Sequence, residues 1–187
     1  MFQSDSQTLK DFNEIQIIEN IKQWLGSTTP PSPIGIGDDC AVVPPEPSAQ
    51  SLISTDTLVF GKHFDSSITA EQAGRKIVLR NLSDIAAMGG HPKYATLSIL
   101  SGSNLSFNWL HQFYKGIKAS SDTYNLKIVG GDLCQLQDDH FQAVMTIIGR
   151  APKPILRHSA SIADSIYVTG QLGGSILEKH YNFQPRL

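Results

Sequence analysis

Aspartates beside glycines and hydroxyl residues recur through the chain at Gly35-Ile36-Gly37-Asp38-Asp39, Ser54-Thr55-Asp56-Thr57, Asn81-Leu82-Ser83-Asp84 and Gly130-Gly131-Asp132. Carboxylate, hydroxyl and carbonyl oxygens are what magnesium prefers, and glycine lets a phosphate approach the backbone closely. Several carboxylates brought together without a cation would repel one another, so such a set implies bound metal. Asp84 is the most informative. It falls near the C-terminal end of a helix, where the macrodipole disfavours a negative charge unless a cation offsets it. Taken singly, each motif has an ordinary explanation: Asp38 or Asp39 caps a turn, and Ser83-Asp84 is a solvated helix face. Four such motifs, each beside an apolar run, point instead to a magnesium–phosphate site. The common phosphate signatures are missing. There is no GxxxxGK[ST], no HRD or DFG pair, and Gly35-x-Gly37 lacks the third glycine of a dinucleotide fingerprint.

These residues need elements to position them. Phe12, Ile15, Ile18, Ile21, Trp24 and Leu25 recur at helical spacing over residues 11–25. A Pro-rich turn follows, then β-type runs at Ala41–Val43 and Ser51–Phe60. Thr69 and Gln72 form a capping box that opens a helix running to Met88, stopped by Gly89-Gly90. The pattern then predicts a strand at Tyr94–Leu100, a helix at Ser106–Ser120, and a short buried strand at Leu126–Val129 ending on Gly130-Gly131-Asp132. Further strands are expected at Phe141–Gly149 and Ser165–Thr169, with a last helix opening at Gly173-Gly174-Ser175. The mixture predicts an α+β fold: a mixed sheet with helices packed on it.

Bulk properties narrow the function classes. The chain has 187 residues, 40% apolar and 17% charged, enough for a sizeable core. With 15 basic and 17 acidic residues, net charge −2, and no Lys/Arg run, it is not built for nucleic acid. No apolar stretch is long enough to span a bilayer, and the polar N-terminus does not read as a secretory signal. Cys40 and Cys134 carry no CxxC or Cys/His context, so reduced thiols and a cytoplasmic location are expected.

In chain order, Gly35–Ala41, Ile53–Val59, Gly61-Lys62-His63-Phe64, Asn81–Gly89, Gly130-Gly131-Asp132 and Tyr167-Val168-Thr169-Gly170 closely resemble the motifs of the thiamine-monophosphate kinase family. That family belongs to the aminoimidazole ribonucleotide synthetase-like superfamily, and the resemblance runs from about Ile34 to Leu187. It implies the N-terminal domain of that fold, with helices on one face of a mixed sheet. The implied reaction is phosphorylation of thiamine monophosphate by ATP, with Mg2+ ions held by aspartates and no general base, because the acceptor phosphate is already nucleophilic. By position, Asp39, Ser54, Thr55, Asp56, Asp84 and Asp132 resemble the metal ligands, and His63 resembles the substrate-binding histidine. Gly131, Asp132 and Arg157 resemble nucleotide contacts, and Tyr124 is a looser match to one.

The resemblance further implies a homodimer through paired sheets. It divides the chain into a lead-in over 1–33, an ATP- and Mg-binding domain over 34–170, and from 171 the start of a linker to a second domain. Where many family members read Gly-Gly-Asp-Thr, this chain reads Gly130-Gly131-Asp132-Leu133. The alternative expectation is a nucleotide-binding and dimerisation module without turnover.

Overall fold

The computed structural model describes residues 1–2, 7–45, 47–158, 160–168 and 172. The elements follow in the order Glu14–Leu25 (α1), Gln50–Val59 (β1), Ala70–Ala87 (α2), His91–Gly102 (β2), Phe107–Thr123 (α3), Lys127–Leu136 (β3) and Phe141–Ala151 (β4). The helix starts are set by side-chain caps. Asn13 accepts from Gln16 N–H at 2.9 Å, Thr69 from Gln72 N–H at 3.1 Å and Ser106 from Trp109 N–H at 3.2 Å. The capping box predicted at Thr69 closes in full, with Gln72 Oε1 accepting from Thr69 N–H at 2.8 Å.

One four-stranded sheet has the order β1-β4-β2-β3. β4 runs antiparallel to both β1 and β2, while β3 runs parallel to β2. The parallel pair is joined through α3, as a parallel connection requires. This is the mixed α+β sheet expected from the sequence.

Strict alternation along β4 sorts the two faces. Ala143, Met145 and Ile147 join Leu58, Leu97 and Ile99 in the core beneath the helices. Thr55, Thr146 and Thr96 share a row on the other face, where Ile53 keeps 70% exposure. α2 and α3 press together through glycine: a Cβ on Gly74 would meet Phe113 O at 1.9 Å, and one on Gly116 would meet Glu71 O at 2.0 Å. Phe113 and Phe141 pack edge to face at 5.2 Å and tie α3 to β4.

Three expectations change, and a fourth falls outside the described residues. Ala41–Val43 forms no strand, because Pro44 and Pro45 follow and no neighbouring strand lies beside it. The strand expected to end at Val129 continues through Gly130-Gly131-Asp132 to Leu136, since β2 offers a pairing partner along that whole length. Residues 165–168 form no strand, and Ile166 is 94% exposed. The helix expected from Gly173 lies outside the described residues.

Candidate active site on the β1–α2 edge

Alternation turns Ser54, Asp56 and Leu58 of β1 toward the helices. Above them, Lys76, Arg80 and Asp84 follow at intervals of four along α2 and form one polar stripe. The two rows engage. Ser54 Oγ donates to Asp84 Oδ2, and Arg80 Nη2 donates to Asp56 Oδ1 at 2.8 Å. Lys76, only 4% exposed, donates from Nζ to the carbonyl of His63 at 2.9 Å. The loop after β1 is thereby tied to the helix.

His63 completes this edge. Its Nδ1 accepts from Val59 N–H at 2.9 Å, so the proton of the neutral ring sits on Nε2. Burial holds its pKa below the ordinary 6.5, and the charges of Arg80 and Lys62 add to that. The ring therefore presents a neutral Nε2–H donor beside a carboxylate–hydroxyl group. Hard oxygens from Ser54, Asp56 and Asp84 next to cationic and neutral donors form a mixed-charge surface. Such a surface suits a divalent cation on one side and a phosphate on the other.

The other sequence-predicted residues lie elsewhere. Thr55 points to the opposite face, with its hydroxyl 2.9 Å from Thr146 Oγ1. Asp132 also faces that way, and Ser98 Oγ donates to it at 3.3 Å. A bulge decides this: Ala95 pairs with Ile128 and Thr96 with Gly130, leaving Val129 as an extra residue. Without it, Asp132 would share the inward face of Ile128. Asp56, Met145, Leu97 and Gly131 form one row across the sheet, so the two edges stand about 14 Å apart by strand spacing.

Gly131 is glycine for packing, since a Cβ there would stand 2.0 Å from Leu97 O. Asp39 is exposed on the loop before β1, where the neighbouring Asp38 accepts from Ser32 Oγ at 2.7 Å. Arg157 is exposed after β4. Among the described residues no three His, Cys, Asp or Glu side chains converge as a metal site.

A cavity of about 100 Å3 opens at the β3 edge beneath α1, lined by Glu14, Ile18, Ile21, Ile36, Leu97, Tyr114 and Ile128 together with Gly130–Leu133. Tyr124, the tyrosine singled out from sequence, sits at the end of α3 and does not line it. Tyr114 does. Its ring is buried, which pushes the phenol pKa well above 10. The sequence pattern marks Tyr114 only as an inner-face residue of α3, a signal shared with ordinary core positions.

The fold and this site place the chain in a defined class. It belongs to the AIR synthase related protein family, whose N-terminal domain model matches residues 37–151. Among curated proteins it is similar to the thiamine-monophosphate kinase of Buchnera aphidicola subsp. Acyrthosiphon pisum, at 41% identity over 143 residues covering 75% of this chain and 43% of that protein. The thiamine-monophosphate kinase of Aquifex aeolicus is 33% identical over 167 residues, 89% of this chain and 52% of that one. A solved structure described as "AaThiL complexed with AMPPCP and TMP" aligns with a TM-score of 0.61 at 31% identity, over 87% of this chain and 50% of that chain. The chain thus spans about half the length of the curated relatives it matches.

Proposed function

We propose that this chain carries the ATP- and magnesium-binding half of a thiamine-monophosphate kinase, which phosphorylates thiamine monophosphate to thiamine diphosphate. The observation that carries the proposal is the convergence of three separate motifs, Ser54–Asp56, His63 and Asp84, on one edge of a fold whose relatives bear that name.

The residues divide the work by charge. Asp56 and Asp84, with the Ser54 hydroxyl, supply hard oxygens suited to Mg2+. When bound, the metal offsets the repulsion between two polyanions and screens the charge moving between them. His63 offers Nε2–H to an oxygen of the acceptor phosphate. It does so as a neutral donor, so it positions the phosphate and removes no proton. The attacking phosphate oxygen bonds to the γ-phosphorus of ATP, the β–γ bridge breaks, and ADP leaves carrying the bridging oxygen. No side chain is required as a base.

Asp39, Thr55 and Asp132 serve metal positions separate from the Ser54–Asp56–Asp84 group. Gly131 and Arg157 belong to the nucleotide side. There the cavity beside Gly130–Asp132 receives the base, and Tyr114 takes the role first given to Tyr124. The uncovered sheet face, with its threonine row and Ile53, is the surface through which two copies pair, and the protein works in the cytoplasm.

An assay of pure protein with ATP, Mg2+ and thiamine monophosphate tests the reading by formation of thiamine diphosphate. Because the chain spans about half its relatives, a second reading is a nucleotide-binding and dimerising module without turnover. ATP binding with no product above background supports that second reading. Absence of ATP binding sinks both.

A further inference from the structure

The α2 stripe contains a cation that none of the sequence motifs explains. Arg80 stands between Lys76 and Asp84, one turn from each, and meets Asp56 through Nη2 at 2.8 Å. Arginine and aspartate side chains each keep 27% exposure. The Nε–H of Arg80 is buried and has no hydrogen-bond partner among the described residues. A guanidinium fork can grip a carboxylate through two parallel hydrogen bonds. Here only one is formed, between groups that water still reaches. Such a pair is weak and easily exchanged. Beside it, the Asp84 carboxylate accepts from the neutral Ser54 hydroxyl. Two carboxylates on one edge, with one loosely held cation between them, keep a residual negative charge when no metal is bound.

We propose that Arg80 is a built-in stand-in for the divalent cation. It offsets the charge of Asp56 on the Asp56–Asp84 edge when no ion is bound, and Asp56 exchanges its guanidinium for the ion when one is. The inference rests on the metal reading of the same site. The donor set fits that reading: Ser54, Asp56 and Asp84 present only hard oxygens. The consequence is a self-limiting affinity, because each binding event must first break the Arg80–Asp56 pair. The same device keeps the two carboxylates from repelling each other during folding.

Mn2+ is the probe, followed by the electron paramagnetic resonance signal of the free ion during titration of the 187-residue chain. Arg80→Met should bind Mn2+ about fivefold more tightly than wild type, the scale at which a partly exposed ion pair competes. Arg80→Gln, which also lacks the charge but remains polar, should show the same gain and guards against a folding defect in the first variant. Arg80→Lys keeps a competing cation and should stay within about twofold of wild type. In melting experiments Arg80→Met should be less stable than wild type without metal and should gain more from saturating Mn2+. Unchanged or weaker Mn2+ binding in both Arg80→Met and Arg80→Gln overturns the exchange and leaves Arg80 as an orienting partner of Asp56. Asp56→Asn separates the two levels. If it abolishes the site, the metal reading stands and the Arg80 variants judge the exchange. If Mn2+ binding ignores it, the metal reading fails and this inference fails with it.

Discussion

The two edges of the sheet are built from opposite materials. At β1 the edge is polar: Ser54 and Asp56 of the strand meet Asp84 and Arg80 of α2 through hydrogen bonds. At β3 the helices cover a mainly apolar hollow walled by Ile18, Ile21, Ile36 and Tyr114, with Glu14 and Asp132 also in its lining. Phosphate and metal suit the first, and a flat heterocycle suits the second. The core row of Met145 and Leu97 lies between them and keeps the two apart. A substrate long enough to use both must reach across strands or around the sheet end. The contrast shows how one layer of structure separates polar from apolar recognition by strand position alone.

The sharpest break in that contrast is Asp56→Ala. It should abolish Mg2+-dependent ATP binding at the charged edge, a loss of about a hundredfold or more for a site dependent on a hard-oxygen ligand. Isothermal titration with the non-hydrolysable ATP analogue, with and without Mg2+, checks this, and binding equal to wild type would end the assignment of Asp56.

Gly131→Ala attacks the other edge through packing. Its Cβ would stand 2.0 Å from Leu97 O, so β3 must shift away from β2. Overpacking of this kind costs about 1–3 kcal/mol, readable as a lower urea midpoint with unchanged slope. The Mn2+ site at β1 should be indifferent to it.

Tyr114→Phe sharpens the comparison more gently. If the cavity takes the base, loss of the buried hydroxyl should weaken the ATP analogue by roughly 3- to 10-fold, the scale of one hydrogen bond. Tyr124→Phe should change nothing, because that ring does not line the cavity.

The smallest effect concerns His63. Its folded pKa lies below 6.5, so the unfolded chain binds more protons as pH falls through that value. The resulting stability is present above about pH 6.5 and is lost toward the lower folded pKa. His63→Gln should flatten this acid limb of the stability–pH curve in chemical denaturation. A slope identical to wild type would show that His63 is not held neutral.

Much of the fold was legible along the chain. The Thr69–Gln72 box, the glycine stop at Gly89-Gly90 and the apolar spacing of α3 are local signals, and local hydrogen bonds and side-chain periodicity decide them. Ala41–Val43 and Ser165–Val168 were not, because a β-type run becomes a strand only where another strand offers its hydrogen bonds. Ser54, Asp56 and Asp84 of the candidate site were singled out by residue type and motif, and His63 by the family resemblance alone. Arg80 was missed, since an arginine inside a helix carries no mark of function until its partner is known.

By itself the sequence determined which chemistry is available: hard oxygens, an imidazole, and glycines that let strands and helices touch. It also determined the family, because those motifs recur in order. Only the tertiary structure decided which of them meet. Strand alternation sends Ser54 and Asp56 one way and Thr55 the other, and the extra residue at Val129 turns Asp132 away from the charged edge. The physical reason is that a side chain's face follows from pairing register, and register is settled by the whole sheet rather than by any one segment.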